Sequence, residues 1–199
     1  MRSMRRRLMR DKYERLNYIQ FTQNLYIDTA YIPNTKTQIQ TKFNLSSVGD
    51  NAQYVFGGGE RVFECFTWNQ FPKGNYMGSD PSFSFTTEAN KDIELSANKE
   101  KWTYLIDGTE MSKTFTFTPT TTSKTIYLNR LNRSSAWTPK VGVYKLYYFR
   151  IYESDDYELG TLLHNFIPVR RRSDGKVGLL DRVENKFYTS PNGAEFVGG

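Results

Sequence analysis

Few side chains in these 199 residues are of kinds that do chemistry, and their spacing limits what each can do. Retaining glycoside hydrolysis needs two carboxyl groups about 5–5.5 Å apart, which on a strand means acids on one face, two or four residues apart. Asp92 and Glu94 stand at i, i+2, and Glu60 and Glu64 at i, i+4, but no third acid joins either pair in register. Both pairs read as solvated strand edges. Any Ser-His-Asp arrangement has to use His164, the single histidine, in Leu162-Leu163-His164-Asn165-Phe166. No Gly-x-Ser-x-Gly elbow accompanies it, so a satisfied structural histidine is expected. Gly57-Gly58-Gly59 continues into Glu60-Arg61-Val62-Phe63, without the helix and the Lys-Ser or Lys-Thr of a phosphate cradle. A glycine bulge or a close strand crossing is the better reading.

One cysteine, Cys65, excludes an intrachain disulfide, and one Cys with one His argues against a zinc site of those ligands. Cys65 lies in a strand pattern and reads as a buried structural thiol. Asp155-Asp156, with Glu153 and Glu158, offers the several oxygens that calcium takes but lacks a loop motif's spacing; a solvated acidic turn is expected. No catalytic residue, metal or cofactor is therefore assigned. Sugar binding is the most plausible small-ligand chemistry, because aromatic faces stack on sugar rings while amides and carboxylates fix hydroxyls. Two loop-like stretches, 69–81 and 129–139, collect such residues, and the candidate glycan site is Trp68, Tyr76, Asn132 and Trp137, with Phe71 and Arg133 nearby. Chance exposure is the competing reading in a chain with 14 Phe, 14 Tyr and 3 Trp.

The net charge of +6 is uneven: Arg2, Arg5, Arg6, Arg7, Arg10 and Lys12, less Asp11, place +5 of it in the first twelve residues. The rest is nearly neutral, so a globally basic nucleic-acid-binding domain is not implied, but a basic N-terminal arm is. The arm has no uninterrupted apolar stretch and no small-residue cleavage site, so it does not read as a signal peptide. No apolar run is long enough for a membrane helix. A solubilising tail, a phosphate- or membrane-binding segment and an arm that docks on a neighbouring subunit are the alternatives. With no aromatic before Tyr13, specific nucleic-acid recognition is disfavoured. Arg5, Arg6, Arg7 and Arg10 are the candidate docking residues.

The elements that must position these residues are strands. Ile39, Thr41, Phe43 and Leu45 alternate with polar residues, as do Trp102, Tyr104 and Ile106, which lead into an Asp107-Gly108 hairpin signal. Strands are also expected over 16–21, 54–56, 61–68, 82–86, 92–95, around Phe115 and Phe117, and at Ile126 and Leu128. Stretch 141–152 is apolar in both phases, as in a strand covered on both sides in the middle of a sheet. Many short strands separated by turn signals indicate an all-β, two-sheet antiparallel sandwich. The expected division is a basic arm over 1–15 and one domain over 16–199.

Two ends of the chain carry a family resemblance. Phe149-Arg150-Ile151-Tyr152, Asn165-Phe166-Ile167-Pro168-Val169-Arg170, Ser173 to Asp181, Asn185 to Thr189 and Gly193 to Gly199 resemble the C-terminal end of concanavalin A-like (laminin-G-like) jelly-roll domains. Leu16 to Thr29 is similar to that family's opening motif, with Ala30 where a glycine is usual and Asn24-Leu25 in place of Thr-Gln. Such domains occur in bacteriophage structural proteins and in surface proteins of gut bacteria, and some bind calcium at a loop rim. The resemblance implies a jelly roll whose first and last segments lie together. It also implies a non-enzymatic bacteriophage virion protein (capsid decoration, head-fibre or tail-associated), located in the virion, assembled as an oligomer and docked on other virion subunits through the arm, with host or mucus glycans as further partners. The alternative is a glycan-binding, lectin-like adhesion module of a gut bacterium, at the cell surface or extracellular. A glycoside hydrolase of the same fold is a distant third.

Overall fold

A computed structural model of the chain describes residues 11–22, 24–48, 52–59, 61–81, 83–133, 142–156 and 158–199. Along the chain the strands are β1 (Tyr13–Arg15), β2 (Ile19–Phe21), β3 (Ile27–Asp28), β4 (Thr37–Leu45), β5 (Gln53–Gly57) and β6 (Phe63–Trp68). β7 (Phe71–Tyr76), β8 (Asp92–Ala97), β9 (Lys101–Ile106), β10 (Thr109–Thr114) and β11 (Tyr127–Leu128) follow. The last are β12 (Tyr144–Glu153), β13 (Thr161–Arg171), β14 (Val177–Asp181), β15 (Lys186–Tyr188) and β16 (Val197–Gly198). They form two antiparallel sheets. The larger has 11 strands, ordered β10-β9-β8-β4-β12-β13-β14-β15, with β1, β2 and β16 paired at its flank; the smaller has five, ordered β3-β11-β5-β6-β7. This is the all-β sandwich expected of a jelly roll. No helix among the described residues is long and apolar enough to cross a membrane.

Apolar residues at alternate positions face inward from both sheets and close one core. Phe56 of β5 meets Phe149 of β12 at 5.5 Å between ring centroids, and the Tyr144 hydroxyl donates to the carbonyl of Val55 across the layers at 3.0 Å. Ile39, Phe43, Phe63, Trp102 and Phe166 are at most 1% exposed. Each such side chain stabilises the fold by roughly 1.5–3 kcal/mol through removal from water.

β12 lies in the middle of the large sheet, but it is not covered on both faces as its apolar run suggests. A register shift between Leu146 and Tyr148 inserts an extra residue. Tyr144 and Leu146 point inward before it, Phe149 and Ile151 after it, and Tyr148, Arg150 and Tyr152 remain half-buried on the outer side. A bulge changes which phase faces the core, so both phases of the sequence carry apolar residues.

The Asp107-Gly108 hairpin forms, with φ of 49° and 81° at its two central residues, as a type I′ turn requires. The chain ends meet: Val197 pairs with Gln20 and Gly198 with Ile19. Arg171 holds Asp174 through two hydrogen bonds, of 3.0 and 2.6 Å, across the turn that begins the C-terminal hairpin. Tyr13–Arg15, counted with the arm in the sequence, pair with Val169–Arg171 of β13, so the sheet begins before Leu16.

Three local expectations fail. Residues 83–86 and 115–126 form no strand; Phe115 and Phe117 instead lay their rings against Tyr76 at 6.3 and 5.7 Å. Stretch 69–81, rich in Pro and Gly, contains β7 rather than only loop. Asn69 and Gln70 adopt positive φ and reverse the chain within two residues. Pro72 is tolerated because β7 is the edge of its sheet. Gly74 is required because a Cβ there would lie 2.3 Å from Trp102.

Candidate functional site

On β6 the inward residues are Phe63, Cys65 and Thr67, so Glu64, Phe66 and Trp68 face outward. β7 is in register with it: Asn75 stands opposite Glu64, Lys73 opposite Phe66 and Phe71 opposite Trp68. Tyr54 of β5 pairs with Phe66, and their rings stack at 5.0 Å with 29° between planes. The outer face of the small sheet therefore carries an aromatic floor that rises to Trp68, which is 45% exposed.

Loops wall this floor on two sides. Arg61 comes from the turn between β5 and β6, Asp80 from the segment after β7, and Arg133 from the segment after β11; with Ala52, Tyr54, Glu64, Phe66, Trp68 and Asn75 they enclose a pocket of about 390 Å³. That lies within the range of small-molecule sites, which combine aromatic walls with a few convergent polar groups. Glu64 is 3% exposed and accepts a 2.7 Å hydrogen bond from the Asn75 amide, which fixes both side chains. The pocket thus offers guanidinium donors, carboxylate acceptors, an amide and an indole face.

Of the residues chosen from sequence, Trp68 lines this pocket. Tyr76 does not: it is fully buried in the core, its hydroxyl donating to the carbonyl of Thr37, and it is withdrawn as a ligand residue. β7 alternation turns Tyr76 inward and its neighbour Asn75 outward. Asn132 is also a structural residue. Its amide donates to the carbonyl and hydroxyl of Thr125 at 2.9 and 3.1 Å, and its backbone bonds Gly57 and Gly59. It holds the segment that brings Arg133 to the pocket. The close crossing expected at the glycines is this contact: a Cβ on Gly57 would lie 2.8 Å from Leu131. Trp137, the arm residues Arg5, Arg6, Arg7 and Arg10, and Glu60 lie outside the described residues. Arg61, Glu64, Asn75 and Asp80, which also line the pocket, were not picked out as candidate site residues from the sequence. The Glu64-Phe66-Trp68 alternation was the signal that could have found the face, but nothing in the sequence pairs it with Arg61 and Asp80.

The other chemical candidates have partners. Asp92 and Glu94 each lie 3.3 Å from the Lys42 ammonium. Burial opposes the charge on Asp92, but hydrogen bonds from Asn44, Tyr147 and Lys42 outweigh it and lower its pKa. Asp155 is bound by Lys36 at 2.9 Å, while Gln38 donates to the carbonyls of Asp156 and Glu158. Cys65 is buried beside the Tyr104 hydroxyl, and burial pushes its thiol up to about 12. Among the described residues, one His/Cys/Asp/Glu group gathers donor atoms within 4.8 Å: His164, Asp181 and Glu184. Asp181 takes His164 on one oxygen and the amides of Asn165 and Val183 on the other, and Glu184 takes the Tyr188 hydroxyl. It is a clasp between β13 and the β14–β15 turn.

No known family's sequence profile matches the chain, and no curated protein is similar to it in sequence. Solved structures do share its fold. One is a candidate carbohydrate-binding protein from Bacteroides ovatus, 13% identical with a TM-score of 0.63; another is the full extracellular region of zebrafish Gpr126/Adgrg6, 11% identical with a TM-score of 0.61. Each likeness covers 94% of this chain, which spans 60% and 27% of those proteins respectively.

Proposed function

We propose that this chain is a lectin-like glycan-binding domain whose site is the pocket on the outer face of the small sheet. The observation that carries the reading is Trp68, a large indole left 45% exposed at the edge of a pocket that also presents Arg61, Asn75, Asp80 and Arg133. Exposing such a ring to water costs free energy that a stacked sugar recovers, while the polar groups select hydroxyls. The carbohydrate-binding role proposed for the Bacteroides ovatus protein of the same fold supports this reading. We propose binding without catalysis: Lys42 holds both Asp92 and Glu94, and no third acid joins that pair or Glu60 and Glu64.

The bacteriophage virion role expected from the sequence rests on the resemblance of the chain ends and on the basic arm; neither the pocket nor the structural likenesses add support to it. Glycan binding, at a cell surface or outside the cell, becomes the primary reading. The test is a glycan array probed with the wild-type protein and with Trp68→Ala. Wild-type binding lost in the variant, with melting temperature retained, is the expected result. An array blank for the wild-type protein at high concentration overturns the reading.

A further inference from the structure

We infer that the glycan bound here spans at least two sugar residues, one in the pocket against Trp68 and the next outside it on Phe71, which forms a second subsite; the inference rests on the glycan reading above. Among the described residues, the two most exposed aromatic side chains are Trp68, at 45%, and Phe71, at 36%. They are also partners, directly opposite each other in the register of β6 and β7. Residues so paired share one face of the sheet, with Cβ atoms about 4.5–5.5 Å apart. Phe71 is not one of the residues that enclose the pocket, so its ring extends the aromatic surface past the pocket's edge.

The pair stands on a fixed support. Asn69 and Gln70 join the two strands with φ of 48° and 70°, the two left-handed positions of a tight hairpin turn. Glutamine seldom adopts this conformation, which persists where the surrounding structure imposes it. Thr87 supplies that constraint: it is 1% exposed and donates both its amide and its hydroxyl to the Gln70 carbonyl, each at 2.8 Å. Two large rings are thus held in water side by side, one within the pocket lining and one beside it. β7 is the last strand of its sheet, so a sugar chain that leaves the pocket over Phe71 meets no further strand. A pyranose lays an apolar C–H face on a ring, and a contact comparable to an aromatic pair raises affinity roughly three- to tenfold.

The experiment is calorimetric titration of the full chain with the mono-, di- and trisaccharides of glucose, galactose, mannose, xylose and N-acetylglucosamine. In a series that binds, the disaccharide should bind more tightly than the monosaccharide by the factor above. Phe71→Ala should bring the disaccharide to the affinity of the monosaccharide while leaving the latter, and the melting temperature, unchanged. Phe71→Tyr should keep the gain, and Phe71→Leu, which retains bulk without a flat ring, should lose most of it. Trp68→Ala should lose ligands of every length. Equal affinities of mono- and disaccharide, or a gain that survives Phe71→Ala or Phe71→Leu, overturn the inference. Monosaccharide binding that is abolished by Trp68→Ala but gains nothing from a second sugar would overturn it while leaving the glycan reading intact; binding of none would overturn both.

Discussion

The ring of Tyr54 stacks on that of Phe66 at 5.0 Å, and this pair forms the floor beside which Trp68 stands. Tyr54 is 6% exposed, so the pair is a small apolar cluster on the outside of the sheet, separate from the main core. Phe66→Ala should therefore lower stability by roughly 1.5–3 kcal/mol and weaken glycan binding, whereas Trp68→Ala should remove binding with little change in stability. Denaturant unfolding of the two variants beside their glycan titrations checks the contrast. Equal stability losses would show that Trp68 is packed rather than presented.

Gly74 sits against the buried indole of Trp102, and a Cβ there would lie 2.3 Å from Cζ3, 2.4 Å from Cη2 and 2.9 Å from the Glu64 carbonyl oxygen. Neither the ring nor the backbone has room to yield. Gly74→Ala should cost about 1–3 kcal/mol or more through overpacking. Adding Trp102→Phe, which shortens the ring, should make the double variant less destabilised than the sum of the two single changes. Additive losses in thermal unfolding would show that the indole is not the obstacle.

Asp181 is fully buried, and its Oδ2 lies 2.7 Å from His164 Nδ1. Burial works against its charge, yet hydrogen bonds from His164 and from the amides of Asn165 and Val183 outweigh it, so its pKa is lowered in the fold. A carboxyl depressed on folding adds stability that is complete above its unfolded value near 3.9 and is lost as pH falls through the folded value. Wild-type stability should thus decline below about pH 4, and Asp181→Asn should flatten that part of the profile. At neutral pH the variant should be destabilised by about 1–3 kcal/mol, because the hydrogen bonds to a carboxylate become weaker ones to a neutral amide, whose single oxygen still accepts from Asn165 and Val183. Chemical unfolding across pH 3–7 reads both effects, and parallel profiles would exclude Asp181 as their source.

The first strand contributes Tyr13 stacked on Phe187 at 5.7 Å and Glu14 within 3.5 Å of Arg170. A chain starting at Leu16 should melt several degrees below one starting at Asp11, since each stabilising kcal/mol moves the midpoint of a domain this size by about 2–4 °C. Tyr13→Ala in the longer chain should reproduce part of the loss, about 0.5–1.5 kcal/mol for the ring pair. Identical midpoints for the two chains would show that β1 adds no stability.

Much of the sandwich was legible in the sequence because strand periodicity is local. Ile39 to Leu45 and Trp102 to Ile106 alternate, and Asp107-Gly108 takes the one turn its residues favour. The failures share a different cause. Pro72 and Gly74 looked like loop residues because the sequence does not show that β7 is an edge strand or that an indole lies beneath position 74. The apolar run in β12 looked doubly covered because one inserted residue at a bulge shifts the inward phase without any mark in composition.

The candidate site divides in the same way. Trp68 was identifiable as an aromatic beside a polar stretch, and the loop over 129–139 that was grouped with it brings Arg133 to the same pocket. Asn75 rather than Tyr76, and Arg133 rather than Asn132, line the pocket, because adjacent strand residues face opposite sides and adjacent loop residues play different parts.

By itself the sequence determined the class: strand periods, turn residues and the small inventory of chemical groups required an all-β sandwich and pointed away from catalysis. Only the tertiary structure decided where the polar groups converge around an exposed indole. Arg61, Asp80 and Arg133 lie on three separate connections and meet around Trp68 because the pairing of β5, β6 and β7, and the clamp of Asn132 on Gly57 and Gly59, fold those connections to one face. Periodicity acts over a few residues along the chain, whereas a pocket depends on register between strands and on contacts between distant segments.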